Sequence, residues 1–150
     1  MVLAIVAGLG LWHVAPNGRT PATVVEVIDG DTISVRVGDQ LRTVRLLGID
    51  TPETKHPTKG VECFGPEASA FTAAELLGAT VELEYDVQRR DQYGRDLAWI
   101  HRNGERFNDR LVREGYARVL LIAPNGAHGR ALVLEQLDAR RAGRGLWAAC

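Results

Sequence analysis

Four acidic residues stand in two short turns, Asp29-Gly30-Asp31-Thr32 and Asp50-Thr51-Pro52-Glu53. Each turn ends a stretch that reads as a strand, and two strands separated by one hairpin can bring Asp31 and Asp50 side by side. Carboxylates held close together repel, so the pair needs a cation, a cage of hydrogen bonds or a shared proton. Hard divalent cations take oxygen ligands, and the backbone carbonyl of Thr51 can complete such a set. Pro52 bends the chain and leaves Glu53 three residues from Asp50. The plainer reading is that Asp and Gly sit here because turns favour them.

Arginines supply the second kind of chemistry. Arg45 lies within Val44-Arg45-Leu46-Leu47-Gly48. Its apolar neighbours put it on a strand that is at least half buried, where a charge needs an anionic partner. It either pairs with a nearby Asp and holds the sheet, or faces the acids and grips a phosphate. Arg89-Arg90-Asp91-Gln92-Tyr93-Gly94-Arg95 gathers three arginines, a tyrosine and a glycine into one turn. Such a turn can reach a phosphodiester with charge-assisted bonds and a phenol, or simply be solvated. Lys59, in the loop after Glu53, is placed to touch a phosphate or to lie in solvent. The four histidines (His13, His56, His101, His128) show no metal-ligand spacing.

The elements that must position these residues can be read from pattern. Thr23 to Ile28, Thr32 to Val37 and Leu41 to Leu47 form a three-strand meander around Asp29-Gly30-Asp31 and Gly38-Asp39-Gln40. Gly65-Pro66-Glu67 opens a helix to about Leu77, with Gly78 past its end. Thr80 to Val87 alternates as a half-buried strand, Asp91 to Arg95 turns, and Leu97 to His101 is a short strand. Asn108 is a good N-cap for a helix through Glu114, closed by Gly115. Ala117 to Ile122 is strand or extended chain, and an amphipathic helix spans about His128 to Ala142. Strands first, with helices between and after them, make an α+β domain around a small antiparallel sheet or barrel.

Composition fits that picture. The chain has 150 residues, 45% of them hydrophobic and 25% charged, which suits one ordinary globular domain and excludes disorder, collagen and a disulfide scaffold. A formal net charge of −1 excludes binding to nucleic acid by bulk charge, though not by a local basic face. The basic residues are sixteen Arg against two Lys, Lys55 and Lys59. Arg offers the planar fork of donors that suits phosphate or carboxylate.

Residues 1–20 stand apart. Met1 to Trp12 is uncharged and mostly aliphatic, shorter than the roughly 20 residues of a membrane span and without the positive leading region of a complete signal peptide. The end of a clipped signal or membrane anchor, a strand of the fold and an expression artefact are the three readings. His13 to Pro21 reads as linker, so the domain is expected over residues 21–150.

Taken together, the motifs resemble the staphylococcal nuclease (thermonuclease) family. The likeness runs from Pro21-Ala22-Thr23 to Gly145-Leu146-Trp147. It is densest over Asp50 to Thr72, DTPETKHPTKGVECFGPEASAFT, with VIDGDT, DQYGR, LAWI, LVREGYARV and GLW in the same order. The resemblance implies an α+β fold, an OB-type five-stranded barrel with three α-helices. It implies calcium-dependent hydrolysis of single-stranded or frayed DNA and of RNA to 3′-phosphorylated products. The calcium (Ca2+) ligands would be the Asp31 and Asp50 carboxylates and the Thr51 carbonyl. Glu53 would be the general base or the group ordering the attacking water, Arg45 and Arg95 would clamp the scissile phosphate, and Tyr93 would donate to the nucleotide's other phosphate. A catalytically silent OB-fold module that only binds nucleic acid or protein is the alternative, since related domains have lost catalytic residues. A monomer with no stable protein partner is expected.

Departures from the family pattern bear on affinity. The family's archetype is strongly basic, whereas this chain's isoelectric point is near 6.4, which predicts a weaker grip on a polyanion and a shallower salt dependence. Gln92 replaces a Lys in the DQYGR turn, and Leu121 falls where the archetype has a Tyr near the bound base. Base stacking, worth about 1–3 kcal/mol per base, is thereby reduced. The archetype also lacks Cys63 and Cys150, whereas several exported relatives carry a Cys in the ECFGPE stretch and another after GLW. A Cys63–Cys150 disulfide is therefore expected, tying the C-terminal tail to the first helix. It would require an oxidising compartment and so a secreted or extracytoplasmic location, with membrane anchoring in a longer precursor as a variant of that reading.

Overall fold

The computed structural model describes residues 17–150. The apolar leader expected over residues 1–12 lies outside them. The meander begins at β1 (Thr20–Asp29), turns at Gly30-Asp31 into β2 (Thr32–Val37), and turns again at Gly38-Asp39 into β3 (Gln40–Leu46). Asp29 pairs with Thr32 across the first hairpin, and irregular register after Val24 and Val27 twists β1. Thr20 and Pro21, read as linker, pair with Leu83 and Glu82 at the start of β1.

After a two-residue β4 (Ile49–Asp50) and the loop carrying Glu53, α1 (Gly65–Leu76) leads into β5 (Thr80–Arg90). Then come β6 (Asp96–Arg102), β7 (Glu105–Arg106), α2 (Phe107–Arg113), β8 (Arg118–Val119) and α3 (Gly129–Ala142). A one-turn α4 (Leu146–Ala149) is added to the three helices expected.

The sheet closes. Antiparallel neighbours run β3-β2-β1-β5-β6, and a parallel pairing of β3 with β6 joins the ends, so five strands form a barrel. Closure removes the exposed edges that a short meander would otherwise leave. Alternate residues point inward, so Ile33, Val35, Val44, Leu46, Leu83, Ala98 and Ile100 are all buried. Trp99 is buried on the other side of β6, where α2 and α3 cover the barrel through Leu111 and Leu132. Gly48 lies between barrel and helices at φ +74°. A Cβ there would come within 2.6 Å of Trp99 and 2.5 Å of Leu132, so the close approach requires glycine.

One expectation fails at α2. Asn108 is not the helix N-cap: the cap position is Arg106, without a side-chain cap bond, and the helix starts at Phe107. Asn108 is instead fully buried. Its Oδ1 accepts from the Ile100 amide and its Nδ2 donates to the Leu47 carbonyl, both at 2.8 Å. A buried amide satisfied at both ends outweighs the local advantage of a solvent-facing cap.

Candidate functional site

The acidic turns meet because both hang from the same barrel rim. Gly30 lies against Thr51, so that a Cβ at Gly30 would come within 2.8 Å of Thr51 Oγ1. Thr72 of α1 fastens the first turn from behind, donating to the Gly30 carbonyl at 2.7 Å. The second turn is held by β4 and β8, where Ile49 pairs with Val119 and Asp50 with Arg118. The Leu120 amide adds a bond to the Gly48 carbonyl at 2.9 Å.

Asp31 is buried at the centre of this junction. Its Oδ2 accepts from the Thr51 amide and its Oδ1 from the Thr32 hydroxyl, each at 2.9 Å. Arg45 reaches in from β3 with Nη2 at 3.2 Å from Asp31 Oδ2 and 3.1 Å from Asp50 Oδ1. Its Nη1 donates to the carbonyls of Leu46 and Ile49 at 2.7 and 2.9 Å, which fixes the guanidinium plane. Arg45 thus pairs with aspartates, and they are the acids of the two turns. Burial raises the Asp50 carboxyl above its ordinary value, as does the nearby Asp31 charge; the Arg45 charge works against both.

Glu53 forms the next layer. Its Oε1 accepts from the Thr54 and Lys55 amides at 3.1 and 2.9 Å. Asp29 and Glu53 interact side chain to side chain. Burial and the bond to Glu53 raise Asp29, while that same bond and the backbone amides lower Glu53. Glu53 is thus an oriented carboxylate at neutral pH.

Three supports of this arrangement escaped sequence reasoning. Glu62 accepts from the Glu53 amide and donates its own amide to the Glu53 carbonyl, both at 2.8 Å. Thr54 donates its hydroxyl to Asp29 at 2.9 Å. Asp29 itself was read only as a turn acid. The signal lay in the packed acids and hydroxyls of the loop, but nothing in their spacing says which carboxyls meet.

Arg95 and Tyr93 belong to the turn before β6. Asp91 organises it, accepting from Arg95 Nε at 2.7 Å and from the Tyr93 and Arg95 amides at 3.0 Å. Burial acts to raise the Asp91 carboxyl, and the Arg95 guanidinium with these amides outweighs it, leaving the group below its ordinary value. The closing seam pairs Arg45 with Leu97. Arg95 ends the turn immediately before β6, next to the seam. Tyr93 is 74% exposed, with the Arg95 guanidinium 5.4 Å from its ring. Lys59 lies exposed in the turn bridged by His56 and Gly60, where its amide donates to His56 Nδ1; its side chain is not brought to the acids by any contact.

A family model described as staphylococcal nuclease homologue matches residues 43–149, which include the seam, the Glu53 loop and the arginine turn. The chain belongs to the staphylococcal nuclease family. It is 40% identical over 125 residues to the thermonuclease of Staphylococcus hyicus, covering 83% of this chain and 74% of that one. The thermonuclease of Staphylococcus intermedius is likewise 40% identical, over 124 residues, with the same shares covered. Endonuclease YncB of Bacillus subtilis is 36% identical over 128 residues, spanning 84% of this chain and 61% of that protein.

Against the family pattern, the Leu121 side chain packs onto the start of α3, where a Cβ on Gly129 would come within 2.7 Å of it. It remains 45% exposed, an aliphatic surface where the archetype carries an aromatic one. The expected disulfide is formed: Cys63 and Cys150 are bonded, with Cα atoms 6.0 Å apart.

Proposed function

We propose that this chain is a divalent-cation-dependent nuclease that hydrolyses phosphodiester bonds of single-stranded or frayed DNA and of RNA, leaving 3′-phosphates. The observation that carries the reading is the convergence of Asp31, Asp50 and Arg45 on one point beside an ionised, oriented Glu53. The printed activities of the thermonuclease and endonuclease relatives support it.

The donor set fits a hard cation such as Ca2+. Asp31, Asp50 and the Thr51 carbonyl offer oxygen only, and a bound cation would offset both the burial and the Asp31 charge that raise Asp50. The buried Thr51 hydroxyl has no hydrogen-bond partner, which leaves one further oxygen at the same rim. Among the described residues no three acidic, imidazole or thiolate side chains form a ready-made cage, so backbone oxygen and water must complete the coordination. When bound, the cation would neutralise charge on the substrate's phosphate oxygens.

The remaining work falls to this chain's residues. Glu53 takes a proton from water, and the oxygen attacks phosphorus. The bond from phosphorus to the 5′-oxygen breaks, solvent protonates that oxygen, and the phosphate stays on the 3′ side. Asp29, in contact with Glu53, helps to orient it. Arg45 on the seam and Arg95 in the turn next to it stabilise charge growing on the equatorial oxygens, and such preorganised electrostatics is usually the largest catalytic contribution. A positioned base adds about 10²–10⁴-fold.

The disulfide supports a secreted or otherwise oxidising location. Among the described residues no helix is long and apolar enough to cross a membrane. The deciding experiment is hydrolysis of denatured DNA and of RNA with calcium, with magnesium and with excess chelator, alongside Glu53→Gln. Calcium-dependent cleavage that collapses in the variant supports the reading. Binding without cleavage in all three conditions replaces it with the silent OB-fold module.

A further inference from the structure

The outward side of α3 is apolar where a helix that faces water is ordinarily polar. Leu132 and Ala139 turn inward and are fully buried. On the opposite side Val133, Leu134 and Leu137 are exposed, Leu134 at 59%. Val133 and Leu134 stand four and three residues before Leu137, so the three share one face. None of them belongs to the core.

The apolar surface continues onto the segment after β8. The Val119 amide donates to Gln136 Oε1 at 2.7 Å, and Leu121 packs against Gly129. This segment therefore runs along the edge of α3, past the turn that carries Val133. Leu121 and Ile122 are 45% and 66% exposed there. Single apolar residues on a surface need no explanation, but a cluster contributed by two elements marks an interaction site.

Arginines frame the helix face. Arg130 precedes Leu134 by four residues and Arg141 follows Leu137 by four, so both project from the same side. Neither makes an ion pair with a described residue. Of the two acids of α3, Glu135 turns to Arg113 at 3.7 Å, and only Asp138 is exposed. With Arg140, three exposed guanidiniums of this helix stand against one exposed carboxylate, in a chain whose net charge is −1.

That combination selects the partner. Nucleic-acid bases stack on aromatic rings, and neither α3 nor the Leu121-Ile122 segment carries one. A second copy docked through the same face would set arginines against arginines. An anionic bilayer satisfies both features, since aliphatic side chains enter the boundary between headgroups and acyl chains while guanidiniums meet lipid phosphates. The described chain also begins nearby. Asn17 donates to Glu82 at 3.2 Å, and Glu84, on the same side of β5, bonds at 2.8 Å to His128, the residue before α3. The uncharged, mostly aliphatic stretch Met1–Trp12 is therefore linked to the domain on the side where α3 starts.

We propose that the outer face of α3 is a docking surface for an anionic phospholipid membrane, with Val133, Leu134 and Leu137 as its apolar contact and Arg130 and Arg141 as its headgroup contacts. The acidic turns and the arginine turn take no part in it.

The test is partition of the full chain onto vesicles of phosphatidylcholine alone and of phosphatidylcholine mixed with phosphatidylglycerol, read by flotation. Two double variants accompany the parent, Leu134→Ser with Leu137→Ser and Arg130→Gln with Arg141→Gln. The parent is expected to favour the anionic vesicles, and each double variant to lose about tenfold in partition onto them. The loss in the arginine variant should shrink as salt rises. All four positions are exposed, so melting curves should match the parent's. Leu134→Trp supplies a reading that removes nothing from the face: brominated anionic lipid should quench its fluorescence beyond the quenching of the parent. A parent indifferent to phosphatidylglycerol overturns the proposal, as do equal partition of parent and both double variants or no added quenching in Leu134→Trp. A parent that is dimeric without lipid, and monomeric as Leu134→Ser with Leu137→Ser, assigns the face to a second copy and overturns it as well.

Discussion

Asn108, a helix residue, donates its side-chain amide to the carbonyl of Leu47 at 2.8 Å across 61 positions of sequence. The same side chain accepts from the Ile100 amide, so a single buried amide joins α2, β6 and the turn that leads to Asp50. Replacing it leaves two buried backbone groups unsatisfied. Asn108→Ala is expected to cost about 2–4 kcal/mol in urea unfolding, against the few tenths to 2 kcal/mol of a lost surface cap. A loss below 0.5 kcal/mol would show that water replaces both bonds.

Arg45 and Arg95 test the electrostatic part of the mechanism. Lys keeps the charge but not the fork, and in Arg45→Lys it cannot satisfy the Leu46 and Ile49 carbonyls while also bridging Asp31 and Asp50. Each Lys variant should lose about 10²–10³-fold in single-turnover rate while remaining folded by circular dichroism. Near-parental rates in both would remove the two arginines from the chemistry.

The disulfide should act on stability more than on turnover. Cys63 and Cys150 are 87 positions apart, and opening the bond frees a long loop in the unfolded chain. The double variant Cys63→Ser with Cys150→Ser is expected to lose about 2–4 kcal/mol, a magnitude whose entropic origin depends on the model used. Parental and variant melting curves that coincide under non-reducing conditions would contradict this.

Acid should weaken the fold partly through His101. This buried ring bonds to Glu84 at 2.5 Å, and His128 bonds to the other Glu84 oxygen at 2.8 Å. Burial lowers the His101 pKa, outweighing the Glu84 carboxylate, with the Arg19 and Arg106 charges adding to the effect. The unfolded chain therefore binds a proton near the ordinary histidine value of about 6.5 that the folded chain refuses. Stability is full above that value and declines as pH falls through it toward the lower folded value. Glu84 is also lowered: burial opposes this, but the bonds from His128 and His101 prevail, so its share is lost at more acid pH. His101→Gln should flatten the stability curve between about pH 7 and 5. A slope equal to the parent's would place that dependence elsewhere.

Much of this molecule was legible in its sequence because local pattern and tertiary role agree there. The meander, α1 and α3 follow from alternation, Gly-Asp turns and helix stops, and Asp31, Asp50 and Arg45 meet because neighbouring hairpins brought them together. Asn108 was misread because capping propensity is a local preference, and burial against Leu47 and Ile100 is decided far away in sequence. The two-residue β4 was invisible because no periodicity exists over two residues, and β8, read within Ala117 to Ile122 as strand or extended chain, gave no sign of its pairing with β4. Asp29 was underrated because an acid that shapes a turn and an acid that meets another carboxyl are the same residue type.

The Cys63–Cys150 bond divides the chain into a tail and a covalent ring. Asp31, Asp50 and Glu53 lie in the tail before Cys63, whereas Arg95 and the whole of β5, β6 and α3 lie within the ring. A protease that cuts once between Phe64 and Ala149 therefore produces no second molecule. The nicked protein migrates at full mass until it is reduced, and the Glu53 loop and the arginine turn stay tethered while any surviving barrel contacts hold them in register.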